Sequence, residues 1–301
     1  MTPTLADVVA LLDRRYPPSG AEDWDAVGTV CGDPRQPVRR VLLAIDATSA
    51  VVDEALEWGA DLLLTHHPLL LRGVHSVAAT TFKGELVHRL VRGGCALHAA
   101  HTNADAVTGG VPESLALALG LVDLRPLVPA DDGGAGGEPT GAGRVGRLPE
   151  PTTLRAFAER VAQTLPRTAQ GVRVAGDLDA TVARVAVVGG SGDSFFDAVR
   201  AAGADVYVTG DLRHHPALEL RQRAEFEAAT AGLERADGRP FLVDVAHSAS
   251  EWPWLARAAE LLARDVAEAH GATVETRVST LTTDPWTAHL ASDPREQGPR
   301  P

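Results

Sequence analysis

Hydrophobic and polar positions in the first part of the chain switch between helical and strand spacing. Residues 5–12 place their apolar side chains on one helical face, and the stretch YPPSG that follows ends this helix. The run VRRVLLAIDAT after Pro37 predicts a strand. Ser49 is suited to cap a second helix that continues to Trp58, and Gly59 supplies the left-handed residue that ends it. Because the strand DLLLT follows at once, the chain begins as an α/β alternation.

This alternation continues and then repeats. A helix is predicted around Gly84 to Val91, and the strand CALHAAHT follows it. Strand, helix and strand in this order predict a parallel sheet covered by helices. VLLAID and GADLLLT, at positions 41 and 59, resemble VAVVGG and GADVYVT, at positions 185 and 203, with the same offset. CALHAAHTN aligns with RPFLVDVAHS by that offset too, although chance similarity in Ala- and Gly-rich sequence is an alternative.

We therefore predict an α/β protein with two related domains. The first domain covers residues 1–128 and the second covers residues 147–290, whose C-terminal segment could pack back on the first. Between them, residues 129–146 read PADDGGAGGEPTGAGRVG, which is too rich in glycine and polar residues to form a core, and 131–143 should be mobile. Residues 291–301 are expected to form a disordered tail.

Composition and charge narrow the class of protein. The hydrophobic content of 45% is enough for a substantial core, and the net charge of −12 disfavours a nucleic-acid surface. The start lacks the pattern of a signal peptide, and we find no apolar run of ~18 residues that would cross a membrane. Cys31 and Cys95 form neither a disulfide framework nor a CxxC metal motif. We therefore expect a soluble cytoplasmic protein without nucleic-acid or membrane partners.

Polar clusters follow the predicted strands at equivalent positions. THHP at 65–68 and HTNAD at 101–105 belong to the first half, and TGDLRHH at 209–215 and HSASE at 247–251 belong to the second. In open α/β sheets, ligands bind beyond the carboxyl ends of the strands. The four clusters therefore predict one site in the cleft between the two halves.

The residue types in these clusters favour metal ions. Imidazole nitrogen and carboxylate oxygen together suit zinc, manganese or iron, and the clusters contain no thiol. Adjacent histidines in an extended chain point in opposite directions, but at an irregular strand end His66 and His67 could each bind one of two neighbouring ions. His247 and Glu251 are four residues apart, which places both side chains on one helical face.

Spacing alone leaves other interpretations open. His66 and His67 could be hydrogen-bonded loop histidines. Asn103 or Asp105 could cap the helix GGVPESLALALG, and Glu251 could only favour a helix N-terminus through the macrodipole. TGDLRHH could equally be a solvated turn that leads into a helix.

Taken together, the stretches HHP, HTNAD, GRVGRLPEP, VVGGSGDS, GADVYVTGD and HSASEWP resemble those of the Nif-three-like dinuclear metal centre hexamers, also known as type 2 GTP cyclohydrolase I. The resemblance covers Trp24 to about Pro285 and implies a two-metal centre between two α/β domains in a toroidal homohexamer. The chain is similar to the short form, which lacks the inserted middle domain of some members. It reads WDAVGT where the family usually reads WDNVGL, so Ala26 replaces an asparagine.

The resemblance also implies the ligands. Five residues would bind the ions: His66, His67, Asp105, His247 and Glu251. His66 and His247 would share one ion, His67 and Asp105 the other, and Glu251 would bridge both. His101 is a candidate supporting residue or additional ligand, and His101 and His214 are candidates for assisting catalysis.

Two divalent ions that share a carboxylate can acidify a water and polarise the bond under attack, so hydrolysis is the expected reaction. A GTP cyclohydrolase would attack C8 of the purine and release formate. GGSGDS at Gly189 lacks both the Walker lysine and the dinucleotide spacing, although its N–H groups could receive an anion. The alternative is a non-catalytic metal-binding assembly or regulatory protein, whose ions would have no coordination position open to water. The expected partners are other copies of the chain and a small molecule such as a nucleotide.

Overall fold

The computed structural model describes residues 2–130 and 140–290. Within these ranges the chain forms ten α-helices: α1 Leu5–Arg15, α2 Ser49–Trp58, α3 Phe82–Arg92, α4 Thr102–Asp105, α5 Val111–Ala118, α6 Leu154–Thr164, α7 Phe196–Ala201, α8 His214–Thr230, α9 His247–Glu251 and α10 Pro253–His270. The same ranges contain eleven strands: β1 Gly28–Cys31, β2 Arg40–Ala44, β3 Leu62–Thr65, β4 Ala96–Ala99, β5 Val122–Pro129, β6 Gly141–Thr153, β7 Arg173–Ala175, β8 Thr181–Ser191, β9 Val206–Gly210, β10 Phe241–Val245 and β11 Glu275–Val278. None of these helices has both the length and the apolar character needed to cross a membrane.

The strands form two mixed sheets with a common arrangement. The first sheet has the order β1-β4-β3-β2-β11 and the second has the order β5-β6-β8-β9-β10-β7. Strands β2, β3 and β4 are parallel, as are β8, β9 and β10. An antiparallel strand borders each group of three parallel strands: β1 pairs with β4, and β7 pairs with β10. The predicted α/β class with two related halves is confirmed.

The C-terminal part of the chain returns to the first sheet. Strand β11 pairs in parallel with β2, and α10 contributes Trp254, Leu255 and Leu262 to the hydrophobic core beside that sheet. The first sheet is therefore built from both ends of the chain. The domain boundary placed at 129–146 stays a prediction.

The Gly-rich segment differs from its prediction where the structure describes it. Residues 141–146 are not a linker but the beginning of β6, which pairs with β5 on one side and β8 on the other. A Cβ on Gly141 would come within 2.1 Å of the Val128 carbonyl oxygen, and Gly143 has a φ of +61°. These glycines allow close packing and an unusual backbone angle inside a sheet, so their abundance does not mark a loop. Residues 131–139 and the predicted tail at 291–301 lie outside the described residues.

The end of helix α2 follows its prediction and its start differs by one residue. The Thr48 hydroxyl, rather than that of Ser49, accepts the N–H of Val51 at 3.3 Å and caps the helix. Gly59 ends the helix at a φ of +70°, as predicted. The difference is small because either hydroxyl residue suits a helix start.

Hydrophobic side chains cover both faces of the first sheet. Leu62 and Leu64 belong to one core cluster, and Leu63 between them belongs to another. Side chains alternate across a strand, so this leucine run packs helices on both sides of the sheet. The sheet is thereby fixed in place, and the residues that directly follow β3 are held by a packed strand.

Candidate metal centre

The carboxyl ends of strands from both sheets converge on one group of imidazole and carboxylate side chains. His66 and His67 follow β3 directly, and His101 comes shortly after β4. His247 and Glu251 lie on α9, which begins after β10. Together with Asp105 on α4, these residues form what we call the histidine cluster: His66, His67, His101, Asp105, His247 and Glu251. Spacing along the sequence predicted this convergence, and the topology of the two sheets produces it.

His66 and His67 extend β3, and their backbone N–H groups still bond to the end of the neighbouring strand β2. The His66 N–H donates to the Ala44 carbonyl at 3.2 Å, and the His67 N–H donates to the Ile45 carbonyl at 2.9 Å. Their ring centroids are nevertheless only 5.0 Å apart. Both rings therefore reach the same site, as expected for an irregular strand end.

Glu251 lies at the centre of the cluster. Its side chain is almost fully buried, and its Oε1 lies 3.0 Å from His247 Nε2 and 3.5 Å from His66 Nε2. Its Oε2 lies 3.2 Å from His67 Nε2. Glu251 is the last residue of α9 and directly precedes Trp252, the N-cap of α10, so it lies near a helix N-terminus as well as beside the three rings. One buried carboxylate thus contacts three imidazole rings from both halves of the chain.

The second nitrogen of each histidine ring is bound to an oxygen. The four Nδ1 contacts are His66 to the Ala100 carbonyl at 2.9 Å, His67 to Asp46 at 2.8 Å, His101 to Asp25 at 2.8 Å and His247 to Asp211 at 2.7 Å. An acceptor at Nδ1 places a proton there and, in a neutral ring, leaves a lone pair at Nε2. This is the arrangement that imidazoles adopt when Nε2 binds a metal.

Asp25 is held more firmly than the other carboxylates that face a histidine. It accepts the N–H and the hydroxyl of Thr102 at 3.0 and 2.5 Å, in addition to the ring of His101. It also accepts the N–H of Ala26 at 2.7 Å. Because this last donor is backbone, the replacement of an asparagine by Ala26 leaves it intact.

Glu251 controls the charge of two of the rings. Burial disfavours a charged His67, but Glu251 and Asp46 outweigh it and raise its pKa to about 11. Burial likewise opposes the charge of His247, and Glu251 again outweighs it, so that its pKa rises to about 9. Burial alone would raise the pKa of Glu251, but the three surrounding rings hold it well below the ordinary value. At neutral pH the rings of His67 and His247 are thus doubly protonated and positively charged.

Asp105 and His101 respond mainly to burial. Burial raises the pKa of the Asp105 carboxyl to about 6. Burial, with His66 nearby, lowers the pKa of His101. His101 is therefore neutral at pH 7, with Nε2 free to accept a proton or to bind an ion.

The geometry fits a divalent cation. Within the described residues, His66 Nε2 and Glu251 Oε2 are buried without a hydrogen-bond partner. His67 Nε2 lies 3.2 Å from Glu251 Oε2, but the two atoms are not aligned for a hydrogen bond. A Cβ on Gly190 would come within 2.7 Å of Glu251 Oε1 and 3.0 Å of His247 Nε2, so a glycine here keeps the space between them open. Ligand atoms of two groups, His66 with His67 and His101, and His67 with His247 and Glu251, lie within 4.8 Å of one another. A metal ion requires ligand nitrogen and oxygen atoms that have no other partner and that surround an open space.

The side chains that lie next to each other in the histidine cluster are not the pairs that the resemblance assigns to each ion. Asp105 Oδ1 lies 3.9 Å from His66 Nε2, and the rings of His67 and His247 are 5.1 Å apart. Asp105 thus lies beside His66 and His247 lies beside His67, while the rings of His66 and His67 are equally close to each other at 5.0 Å. Glu251 touches both pairs, so its central position holds for either assignment.

The structure also bears on the other interpretations that spacing left open for Asn103, Asp105 and His214. Helix α5 has Gly110 at its N-cap, so neither Asn103 nor Asp105 caps it. Asn103 instead donates to the Tyr16 carbonyl at 2.7 Å. His214 is the exposed first residue of α8 and, in the described part of the chain, has no contact with the histidine cluster.

Sequence reasoning missed the residues that orient the rings. Asp25 lies in WDAVGT, Asp46 in VLLAID and Asp211 in TGD, all stretches that carried the strand or motif patterns. Gly190, which leaves space beside Glu251, lies in VVGGSGDS. An aspartate directly after a predicted strand was the available signal, because such residues reach the same edge as the histidines.

Comparison with known proteins gives matches over most of the chain. The family model DUF34/NIF3 (NGG1p interacting factor 3) matches residues 3–285. A relative from Streptomyces coelicolor, named GTP cyclohydrolase 1 type 2 homolog, is 51% identical over 292 residues, which cover 97% of this chain and 96% of the relative. The solved structure of a Bacillus cereus protein related to NIF3 has a TM-score of 0.79 at 27% identity, covering 95% of this chain and 99% of that one. A hypothetical protein of Staphylococcus aureus has a TM-score of 0.79 at 28% identity, covering 96% and 100%.

Proposed function

Because the chain belongs to the DUF34/NIF3 family, as its motifs predict, we propose that it is a hydrolase that uses two divalent metal ions. The ions would be held in a cleft between the two α/β halves by five side chains: His66, His67, Asp105, His247 and Glu251. The observation that supports this most directly is the position of Glu251. It is a buried carboxylate in contact with imidazoles from both halves, and one of its oxygens has no hydrogen-bond partner in the described residues.

The donor set suits zinc, manganese or iron. When bound, two such ions that share a carboxylate polarise the bond under attack and lower the pKa of a water. The residues of this chain supply the orientation, because Asp46, Asp25 and Asp211 each fix the Nδ1 side of one ring. Such outer contacts fix the direction in which a ligand nitrogen points.

His101 is our candidate for moving a proton. Asp25 holds its Nδ1, and its lowered pKa keeps Nε2 unprotonated at pH 7. Nε2 can therefore accept a proton from a water or substrate in the cluster, as general-base catalysis requires. His214 does not share this position, since it lies apart from the cluster at the start of α8.

A purine nucleotide is the first substrate to test. This choice rests on the name GTP cyclohydrolase 1 type 2 homolog carried by the relatives. In that reaction one water would add at C8 of GTP and open the imidazole ring to a formamide, and a second water would hydrolyse the formamide to release formate. We also propose that the chain forms a hexameric ring, which follows from the family resemblance, and, separately, that it works in the cytoplasm.

The test begins with metal content. Purified protein would be reconstituted with zinc, manganese or iron(II), dialysed and measured by elemental analysis, and then assayed for formate release from GTP and for hydrolysis of other nucleotides and phosphoesters. About two ions per chain with hydrolysis that is lost in Glu251→Gln would support the proposal. Glu260→Gln is the matched control, because Glu260 lies on the exposed side of α10 and pairs with Arg257.

The possible outcomes separate the parts of the proposal. A metal content near zero would overturn the two-metal centre. Two tightly bound ions without hydrolysis of any tested compound would favour the non-catalytic metal-binding alternative. Light scattering tests the assembly, and a monomer at micromolar concentration would contradict the hexamer.

A further inference from the structure

The segment that follows β11 crosses from the first sheet towards the histidine cluster. We call residues 279–284 the C-terminal strap. Ser279 anchors its beginning, since its N–H donates to the Leu43 carbonyl at 2.8 Å and its hydroxyl donates to Glu54 at 2.6 Å. The indole N–H of Trp252 donates to the Ser279 carbonyl at 3.3 Å.

Beyond Ser279 the strap has a single outward hydrogen bond. In residues 280–290, only the Thr283 hydroxyl bonds to a side chain or backbone elsewhere in the described structure, donating to Asp46 Oδ2 at 2.5 Å. A cavity of about 270 Å³ is lined by residues 279–283 together with other side chains such as Leu165 and Leu255. Because the strap borders a cavity, packing on that side does not fix its course. The Thr283 hydroxyl is thus the polar contact that holds the far end of the strap.

The same hydrogen bond governs the orientation of Asp46. The carboxylate of Asp46 has two polar partners among the described residues, His67 Nδ1 at its Oδ1 and Thr283 at its Oδ2. Asp25, which serves His101 in the same way, has three further donors from Ala26 and Thr102. The orientation of the Asp46 carboxylate therefore depends on one hydroxyl group, whereas three donors hold the carboxylate of Asp25.

We propose that Thr283 is a positioning residue for the histidine cluster, acting through Asp46 on the ring of His67. This rests on the proposed function insofar as His67 binds an ion. Thr283 holds Asp46 in the rotamer that accepts from Nδ1, and this contact directs Nε2 towards Glu251. The C-terminal strap thereby completes a site whose ligands all lie earlier in the chain.

The test compares substitutions of nearly equal shape. Thr283→Val removes the hydroxyl, and Thr283→Ser restores it. Thr282→Val is the matched control, because exposed Thr282 makes no hydrogen bond through its side chain in the described structure. Asp46→Asn sets the scale, since loss of a direct outer contact costs about 10- to 100-fold in metal affinity.

Chelator competition with zinc and the absorption spectrum of the cobalt(II)-loaded protein would be measured for each variant. We expect Thr283→Val to weaken binding of the ion that His67 would hold by about three- to tenfold, less than Asp46→Asn, since Thr283 acts one contact further out. The cobalt spectrum should change as well, while Thr283→Ser and Thr282→Val match the parent. Parent-like affinity and spectrum in Thr283→Val would overturn the proposal, and a lower melting temperature alone would show that Thr283 only anchors the strap.

A second measurement keeps this inference separate from the proposed function. If the parent protein takes up no zinc or cobalt, the two-metal function fails, and the metal-free protein decides about Thr283. The Nδ1–H proton of His67, assigned with His67→Asn, would be followed by NMR. Thr283→Val should shift it and speed its exchange with water, whereas an unchanged resonance would overturn the positioning role.

Discussion

Replacing Glu251 by glutamine tests the centre of the proposed site most sharply. The substitution keeps the shape of the side chain and removes its charge. Glu251 faces His66, His67 and His247 at 3.0 to 3.5 Å, and its buried carboxylate is the negative charge that they share. Its loss should therefore change both the metal content and the protonation of these rings.

The size of the effect follows from one contact. Two unit charges at the 3.2 Å that separates His67 Nε2 from Glu251 Oε2 interact by at most about 5 kcal/mol at an effective dielectric constant of about 20. Since about 1.4 kcal/mol corresponds to a change of one in pKa, the variant should lower the pKa of His67 by up to about 4. It would then fall from about 11 towards neutrality. The charge that attracts two dications falls at the same time, so the variant should lose at least one ion.

Elemental analysis after reconstitution and dialysis gives the metal content, and chemical denaturation shows whether the fold survives. We expect at most one ion per chain and a cooperative unfolding transition in Glu251→Gln, with Glu260→Gln unchanged. His66→Ala should lose about one ion, because His66 is proposed to bind a single one. Two tightly held ions in Glu251→Gln would refute the bridging role.

Three further results are expected. At pH 7 metal uptake should release protons from His67 and His247, because their pKa values are about 11 and 9, and metal affinity should rise about tenfold per released proton for each pH unit up to about pH 9. Calorimetry in buffers of different ionisation enthalpy measures the release, and metal binding without proton release would contradict this expectation. Gly190→Ala should lose about 1–2 kcal/mol of stability and also bound metal. Gly120→Ala is the control, because Gly120 has a similar φ of +78° with open space around it and should lose stability alone. Equal metal contents in the two variants would argue against a steric role of Gly190. Burial lowers the pKa of His98 to about 4, below its unfolded value of 6.5, so the unfolded state binds more protons and unfolding free energy should fall by up to about 3 kcal/mol from pH 6.5 to 4. In denaturation at several pH values His98→Gln should flatten this slope, and an identical slope would contradict the assignment.

The order of elements was readable because local patterns encode it. Apolar runs of strand length between amphipathic helices gave the α/β class, and the equal offset between the two halves anticipated the matching strand orders. Glycine content was misleading at residues 141–146, where it reflects close packing in β6. Composition does not distinguish a glycine that frees the chain from one that allows a close approach.

The sequence by itself indicated the clusters from which metal ligands would come, because residues that directly follow parallel strands lie towards one edge of the sheet, and the family resemblance narrowed these clusters to five residues. It also placed His247 and Glu251 on one face of a helix through their spacing. Only the tertiary structure decided how the rings are oriented. Asp25, Asp46 and Asp211 meet histidines that lie 76, 21 and 36 residues away, and Thr283 reaches Asp46 across 237 residues. No periodic pattern links positions so far apart, since such contacts arise only when packed sheets and helices bring distant segments together.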